Sequence, residues 1–507
     1  MALDLGAPDE QLTDGPTNSQ PRDSRPSRGG PGTNQLRWVL PLVVVLFAAG
    51  LRFAYLWHPD RIYFDETYYA ENAAQLLDYG VEASPAVAAD PSQGVEPHFV
   101  VHPPVGKWLI APGIALFGDG PLGWRVGPAV AGTLLVAVTY FIALRLFRRR
   151  GVAALTAFVL SIEGLALTMS RISMLDIFLT LFAAVGVWCL LIDRDQRWAV
   201  FNEHGEEVVA PRLPSVSRPY RWLAGVAFGL ALATKWSAIL AIGAAGLYLL
   251  GSELAWRRAL TGRWWRQPWR LIGGGLASLI LLPAVLYVGS YASWFANYES
   301  TRPGVAACAE AEGCDVGPVE IARGWFGEQQ EIFRFHRDLE VTHNYRASAL
   351  NWPLTERPVV YYYESCTDDG DDPCEVAPGN VEEIIGLGNP VVWWVAAPLY
   401  PVLLWAAVLR RDRVAATIAV LLLAQYVPWL LQARPLFFFY ALPLVPFVVL
   451  TLGWAMGHAF ERPRWRWAPV VTAAAALGAF VYWLPIYYGF QITEHAWRMR
   501  MLLPSWI

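Results

Sequence analysis

The feature that most restricts the fold of this chain is a series of apolar runs, each of roughly 18 to 22 residues, the length a helix needs to cross a bilayer. Backbone polar groups in lipid must pair internally, so such runs predict helices. We expect about eleven membrane-spanning helices. The first run covers residues 36 to 57, and the others begin near Leu122, Gly151, Ile172, Trp222, Trp236, Leu271, Val391, Val414, Leu436 and Ala468.

The composition agrees with an all-α polytopic membrane protein. Of the 507 residues, 55% are hydrophobic and only 16% are charged, which is unlike a soluble enzyme of this length. The net charge of −4 argues against a nucleic-acid-binding surface. The sequence has no glycine-rich phosphate loop or dinucleotide fingerprint, so a donor dissolved in the membrane is expected rather than a soluble nucleotide.

Arginine clusters set the expected orientation, since cytoplasmic loops carry an excess of positive charge. All of them fall on the side of the amino-terminal tail: Arg148 to Arg150, Arg257 to Arg270, Arg410 to Arg413, and Arg462 to Arg466. Residues 1–36, poor in apolar side chains, are expected to be a disordered cytoplasmic tail. Residues 37–291 form a predicted catalytic membrane module and residues 391–507 a second one. Residues 58–120 and 292–390 are the two large extracytoplasmic loops.

Four of the five cysteines lie in the second outer loop, which suits an oxidising compartment. We favour pairing of sequence neighbours, Cys308 with Cys314 and Cys366 with Cys374, over the alternative of four free thiols. The fifth, Cys189, lies inside a predicted span.

A pair of adjacent carboxylates, Asp65 and Glu66, follows the first span and lies among aromatic residues. Aromatic walls and a neighbouring like charge both raise a carboxyl pKa, which is how a general base is tuned. The alternative is an ordinary helix start, where the helix dipole favours acidic residues. The spacing leaves both interpretations open.

A second motif in the same loop, HPPVGK, runs from His102 to Lys107. Its prolines fix the backbone, Gly106 permits a close approach, and Lys107 places a cation near the lipid head groups, where it could hold a phosphate. The alternative is a stiff turn with a lysine whose charged end reaches toward the head groups.

Further cations occupy predicted outer turns that are otherwise poor in positive charge. Arg171 offers a bidentate fork to a phosphate, Asp176 follows it, and Lys235 lies in the next turn. A polyprenyl phosphate head group would explain these cations, and a simple helix-end cap is the alternative. Glu163 lies within the third predicted span, where an ionisable group is costly, and the sequence assigns it no partner.

The second outer loop contains polar side chains next to an aromatic anchor. His343, Tyr345 and Trp352 belong to this segment. It is either the lining of a substrate groove or the surface of a folded loop.

With these motifs in place, the sequence resembles the protein O-mannosyltransferase family, in its actinobacterial branch, within the membrane glycosyltransferases of GT-C type. The resemblance rests on Asp65-Glu66, on HPPVGK, on the segment SRISMLD from Ser170 to Asp176, on Lys235-Trp236 and on the segment around His343. The motifs follow the family's order and span nearly the whole chain after the tail.

This resemblance implies transfer of mannose from polyprenyl-phosphate mannose to Ser or Thr hydroxyls of exported polypeptides at the cell membrane, with inversion. It implies that Asp65 is the general base and that Glu66 orients acceptor or sugar. Arg171, with Lys235 and Lys107, would neutralise the lipid phosphate. No metal and no cofactor are expected, and association with a protein export channel is left open. The β-trefoil insertion of eukaryotic members does not fit within residues 292–390.

Two other functions remain as alternatives. A GT-C enzyme could move another polyprenyl-linked sugar, such as aminoarabinose or arabinose, to a lipid or a wall glycan. A lipid-sugar transporter would place binding residues near the middle of the bilayer, often in repeated halves. The suggestive charges here crowd the predicted outer surface instead, and no internal repeat is visible in the sequence.

Overall fold

Helices dominate the computed structural model of this chain, which describes residues 31–85, 95–203, 217–265, 267–310, 314, 316–339, 343–366 and 375–507. Residues from Leu40 to Ile507 make up one compact unit, and the described residues before Leu40 are the first turns of helix α1. The core is built from apolar faces of the long helices.

The amino-terminal part of the bundle contains the following helices: α1 (Pro31–Phe53), α2 (Glu66–Tyr79), α3 (Val105–Phe117), α4 (Pro121–Phe147), α5 (Arg150–Ser161), the short α6 (Gly164–Thr168), α7 (Asp176–Glu203), α8 (Pro219–Leu232) and α9 (Ala238–Thr261). It continues through α10 (Pro268–Leu276), a π-helical stretch (Ala277–Leu281) and α11 (Leu282–Ser290). Strands β1 (Ala83–Pro85) and β2 (Val95–Pro97) pair antiparallel between α2 and α3.

The second predicted outer loop is folded. It contains α12 (Ala292–Ala296), α13 (Arg302–Glu310), α14 (Pro318–Arg337), a 3-10 turn (Ala349–Leu354), β3 (Val359–Ser365) and β4 (Asn380–Gly386). The predicted pairing of Cys308 with Cys314 is confirmed. Cys366 is also disulfide-bonded, and its expected partner Cys374 lies outside the described residues.

The carboxy-terminal part returns to the bundle. Its elements are α15 (Pro390–Ala396), α16 (Leu399–Val408), α17 (Arg413–Leu430), a 3-10 segment (Phe438–Leu444), α18 (Val445–Phe460), α19 (Ala468–Tyr488), β5 (Ile492–Thr493), α20 (Glu494–Arg498) and a final 3-10 turn (Pro504–Trp506). Strand β5 pairs antiparallel with β4, which completes the three-stranded sheet β3-β4-β5 beside the bundle.

Helical segments occupy the positions of the eleven predicted spans, and the mostly helical fold is as expected. Eight of the described helices are long and apolar enough to cross a membrane. The shorter apolar helices include the stretch Trp38–Phe53 of α1, α5, and also α3, which lies in the predicted first outer loop. Helix α1 begins at Pro31, slightly before the predicted start, and residues 1–30 of the predicted tail lie outside the described residues.

The third predicted span is broken at Glu163. The structure shows the hydrogen-bond partners of this residue, which the sequence did not reveal. The fully buried Glu163 carboxylate accepts hydrogen bonds from the backbone N–H groups of Ala166 (2.7 Å) and Asn389 (3.0 Å) and from Trp393 Nε1 (3.0 Å). It thereby caps α6 and holds the start of α15. Glu163 is a structural residue in this fold.

Candidate active site

The Asp65 side chain lies at the start of α2 without a polar partner among the described residues. It occupies the N-cap position without making a capping hydrogen bond, and its carboxylate has no hydrogen bond or ion pair within the described part of the chain. Burial raises the pKa of the Asp65 carboxyl to about 6, with the Lys235 ammonium opposing the shift and Asp176 adding to it. An unpartnered carboxylate with a pKa near neutral can accept a proton from a hydroxyl.

Asp176 and Lys235 form an ion pair beside Asp65. The Lys235 Nζ atom, between α8 and α9, lies 2.9 and 3.1 Å from the two carboxylate oxygens of Asp176, at the start of α7. Both side chains are nearly inaccessible to solvent. Burial alone would lower the pKa of Lys235, but Asp176 and Asp65 raise it, so the ammonium stays charged.

Arg434 is a second cation at this site, and the sequence reasoning missed it. Its Nη2 atom donates to the Tyr440 hydroxyl at 3.0 Å, while its buried Nε atom has no hydrogen-bond partner. The guanidinium carbon lies 5.6 Å from the Tyr440 ring centroid, and Lys235 Nζ lies 5.2 Å from the same centroid. Two cations therefore gather around one aromatic ring next to an unpartnered carboxylate.

A signal for Arg434 was present in the sequence. It follows α17 in a predicted outer turn, and unexplained cations in such turns were the reason for selecting Arg171 and Lys235. The same criterion selects Arg434.

Glu66 lies behind the site. Its carboxylate is fully buried and accepts two hydrogen bonds from Arg125, from Nε at 2.8 Å and Nη2 at 2.9 Å, and a third from the backbone N–H of Ser173 at 3.0 Å. Arg125 also donates to the backbone carbonyls of Pro59 and Arg61. This network fixes the loop that carries Asp65 and occupies the oxygens with which Glu66 was expected to contact substrate.

Arg171 is likewise engaged with the protein. Its guanidinium donates to the backbone carbonyls of Leu51, Arg52, Ala54 and Tyr55 at 2.6 to 3.3 Å. It also lies 4.0 Å from the Tyr488 ring centroid. These contacts complete the end of α1, where carbonyls lack helical partners. The expected phosphate contact would have to compete with them.

The HPPVGK motif packs beside the site. Lys107 is buried, and its Nζ atom donates to Glu82 at 2.5 Å and to the His102 carbonyl at 3.0 Å. The His102 ring stacks on His336 with centroids 5.3 Å apart, and burial lowers the pKa of His102 well below its usual value. A Cβ on Gly106 would lie 2.7 Å from Leu175 Cδ2, so the expected close approach exists. A phosphate held by Lys107 would have to compete with these contacts.

The three residues predicted in the second outer loop lie in different surroundings. His343 is exposed, and its ring packs edge-on against Phe437 at 5.1 Å, whose ring in turn lies 5.9 Å from Tyr440. Tyr345 lies under the Arg357 guanidinium. Trp352 is only 1% exposed and packs against Trp429, so it belongs to the core. His343 and Trp352 each connect to Tyr440 through one intervening ring, Phe437 and Trp429 respectively.

The described residues contain no group of three or more His, Cys, Asp or Glu side chains that could hold a metal ion. What the structure brings together is one carboxylate able to take a proton and two cations able to neutralise an anion. That combination suits displacement of an anionic leaving group by a hydroxyl.

Comparison with known proteins identifies the family. Residues 121–298 match the model of dolichyl-phosphate-mannose-protein mannosyltransferase, and residues 321–506 match that of the C-terminal four-transmembrane region of protein-O-mannosyltransferase. The chain is 32% identical to the polyprenol-phosphate-mannose--protein mannosyltransferase of Mycolicibacterium smegmatis (strain MKD8), over 94% of both chains. It is 31% identical to the protein of that name from Corynebacterium glutamicum, over 87% of this chain and 88% of the relative.

The fold agrees. The Saccharomyces cerevisiae protein O-mannosyltransferase Pmt1-Pmt2 complex, solved with its sugar donor, superposes with a TM-score of 0.71 at 15% identity, over 93% of each chain. ArnT from Cupriavidus metallidurans, solved with undecaprenyl phosphate, gives 0.50 at 19% identity, over 93% of this chain and 76% of that one. The expected GT-C type architecture is thus confirmed. The chain belongs to the dolichyl-phosphate-mannose-protein mannosyltransferase family.

Proposed function

We propose that this enzyme transfers mannose from polyprenyl-phosphate mannose to Ser or Thr hydroxyls of exported polypeptides, on the extracytoplasmic face of the cell membrane and with inversion. The observation that carries the proposal is the Asp65 carboxylate, which has no partner among the described residues and lies beside the Lys235–Asp176 pair. The names of the relatives support the donor and the protein acceptor.

The proposed reaction is a single displacement. The acceptor hydroxyl oxygen forms a bond to the anomeric carbon of mannose while the bond from that carbon to the phosphate oxygen breaks. Asp65 takes the hydroxyl proton, and the bonding electrons leave with the lipid phosphate. Attack from the face opposite the leaving group inverts the anomeric carbon. No metal is required for this balance.

Lys235 and Arg434 are proposed to receive the lipid phosphate. Arg434 retains an unpartnered buried Nε donor, and both cations border the Tyr440 ring. Positive groups aimed at charge that develops on the leaving oxygen lower the barrier. Asp176 acts as a positioning residue, because its two oxygens hold the Lys235 ammonium.

Glu66 and Arg171 are proposed to be positioning residues rather than substrate ligands. Their polar atoms bind the protein, and together with Arg125 they fix the end of α1 and the loop before α2. A general base must be held to within a fraction of an ångström of its working geometry, so losing these contacts would lower activity without removing a reacting group.

The extracytoplasmic location is supported by two features. Arginine clusters lie at the opposite ends of the spans from Asp65 in the sequence pattern, and cytoplasmic loops are the positive ones. The Cys308–Cys314 disulfide lies in the same predicted outer region as the site, and disulfides persist in oxidising compartments.

The test measures transfer of labelled mannose from polyprenyl-phosphate mannose to a Thr-rich peptide by membranes that contain equal amounts of each variant. Wild-type protein should transfer mannose, and Asp65→Asn should lose roughly a thousandfold in rate, within the range for removal of a general base. Asp78→Asn is the matched control, since this carboxylate is exposed near the end of the same helix.

Equal transfer by wild type and Asp65→Asn would remove Asp65 from its role. If wild type transfers no mannose but uses a polyprenyl-linked arabinose or aminoarabinose, the proposed sugar is wrong and the proposed roles of the site residues are retained. Lipid translocation without transfer to any acceptor would favour a transporter.

A further inference from the structure

A large cavity opens at the other end of the bundle from Asp65. It has a volume of about 1020 Å³ and is bordered by the last turns of α4, α7 and α9 and the first turns of α17. Helix α7 joins the two ends: Asp176 begins it, and Trp198 in the cavity lies about 33 Å farther along the axis at about 1.5 Å per residue. That separation is close to the thickness of a bilayer core, about 30 Å.

The cavity has an excess of positive charge. Arg145, Arg148, Arg194 and Arg413 contribute to its lining, and Asp195 is the single carboxylate among the described lining residues. Asp195 is shared, because Arg145 Nη1 lies 3.0 Å from one of its oxygens and Arg194 Nη2 lies 2.7 Å from the other. Arg148 and Arg413 are exposed, and neither forms an ion pair with a described residue.

Most of the remaining wall is apolar or aromatic, and Asn202, Ser252 and Thr417 are its polar members. Leu247 and Val420 line the cavity and are 56% and 36% exposed, so this side is open to acyl chains. The Arg413 guanidinium lies 5.2 Å from the Trp198 ring centroid, which is the pairing of cation and amphipathic ring found at membrane interfaces. The cavity therefore presents cations at one border and an apolar surface at another.

From this arrangement we propose that the cavity binds an anionic glycerophospholipid from the leaflet opposite the Asp65 site. The phosphodiester head group contacts Arg148 and Arg413, and an acyl chain lies along Leu247 and Val420. Arginine suits a phosphate because its planar fork donates two parallel hydrogen bonds. The volume is of the size that holds a head group and part of its chains. This site is separate from the donor and acceptor sites of the proposed reaction.

Two kinds of variant test the proposal. The double variant Arg148→Gln/Arg413→Gln removes the unpaired charge. Gly251→Leu fills the cavity instead: Gly251 lines it, and a Cβ there meets no atom within 4 Å, so the helix should tolerate the larger side chain. Matched controls are Arg466→Gln, an exposed arginine elsewhere, and Gly243→Leu, an equally open glycine of the same helix outside the cavity lining.

The measurement is native mass spectrometry of the purified full-length protein titrated with phosphatidylglycerol, phosphatidylcholine or inorganic phosphate. Wild type should retain one phosphatidylglycerol in preference to phosphatidylcholine. The double variant should lose about thirtyfold in affinity for phosphatidylglycerol, as removal of two interfacial cations implies. Gly251→Leu should lose the bound lipid as well, and both controls should keep it.

Three results would overturn the proposal. One is equal retention of the two lipids by wild type. Another is unchanged phosphatidylglycerol binding in Gly251→Leu, which still decides the matter if the double variant fails to fold. The last is full displacement of the lipid by millimolar inorganic phosphate, which would make this a free-phosphate site. Mannosyl transfer by the variants in detergent reports their folding, because Asp65 lies near the start of α7, whereas the cavity lies near its other end.

Discussion

The proposed role of Asp65 as general base makes the rate of mannosyl transfer depend on pH. The pKa of its carboxyl is raised to about 6 by burial, above the roughly 3.9 of an exposed aspartate. Only the ionised form can accept the hydroxyl proton, so the rate should fall about tenfold per pH unit below 6 and level off above it. The measurement is the pH dependence of kcat/KM for the peptide at fixed polyprenyl-phosphate mannose.

The same shift predicts an effect on stability with a definite sign. A folded-state pKa above the unfolded value means that ionisation of Asp65 weakens the fold as pH rises through about 6. Asp65→Asn should therefore raise the melting temperature at pH 7.5 and change it less at pH 4. An activity profile that stays flat from pH 4.5 to 8 would contradict this account of Asp65.

Arg434 is the cation whose substitution should have the most easily interpreted effect on donor binding. Arg434→Gln removes a charge beside Tyr440 without leaving a carboxylate unpaired, unlike a change at Lys235, which would strand Asp176. A lost charge-assisted hydrogen bond of about 1.5 to 3 kcal/mol lowers kcat/KM for the lipid donor roughly 10- to 100-fold. Arg323→Gln, an exposed arginine of α14, is the control. Wild-type kinetics in Arg434→Gln would exclude Arg434 from phosphate binding.

At the scale of elements, the apolar runs predicted where helices form because length and hydrophobicity alone decide a membrane span. They did not predict where a span breaks. Glu163 ends α5 and begins α6 because its carboxylate finds donors on Asn389 and Trp393, residues more than two hundred positions away. Such a partner is visible only after the chain has folded.

The site shows the same division between local and distant information. Asp65 stands out in the sequence as one of two adjacent carboxylates among aromatic residues, Asp176 and Lys235 stand out as charges in predicted outer turns, and the fold gathers all three. Glu66 and Arg171 show the same two patterns, yet the structure surrounds them with backbone and side-chain partners. Sequence patterns identify charges near the membrane surface, but they do not distinguish a charge that faces substrate from one that supports its neighbour.

For the whole molecule, the orientation in the membrane can be tested directly. Leu350→Cys places a thiol on an exposed turn of the predicted outer region, and Arg466→Cys places one in an arginine cluster. In intact cells a membrane-impermeant maleimide should label only Leu350→Cys, and Arg466→Cys should react after permeabilisation. Background should be low, since the described native cysteines are either disulfide-bonded or buried. The reverse pattern would invert the topology.

The free state of Asp65 has a consequence for how an acceptor is selected. No described residue donates to its carboxylate, so an arriving serine or threonine supplies the first protein-derived hydrogen bond that it receives. Under the proposed mechanism, the contact that recognises the hydroxyl is also the contact that withdraws its proton. Selectivity for an O–H group needs no separate recognition pocket, because a side chain that cannot donate a proton neither completes the contact nor reacts.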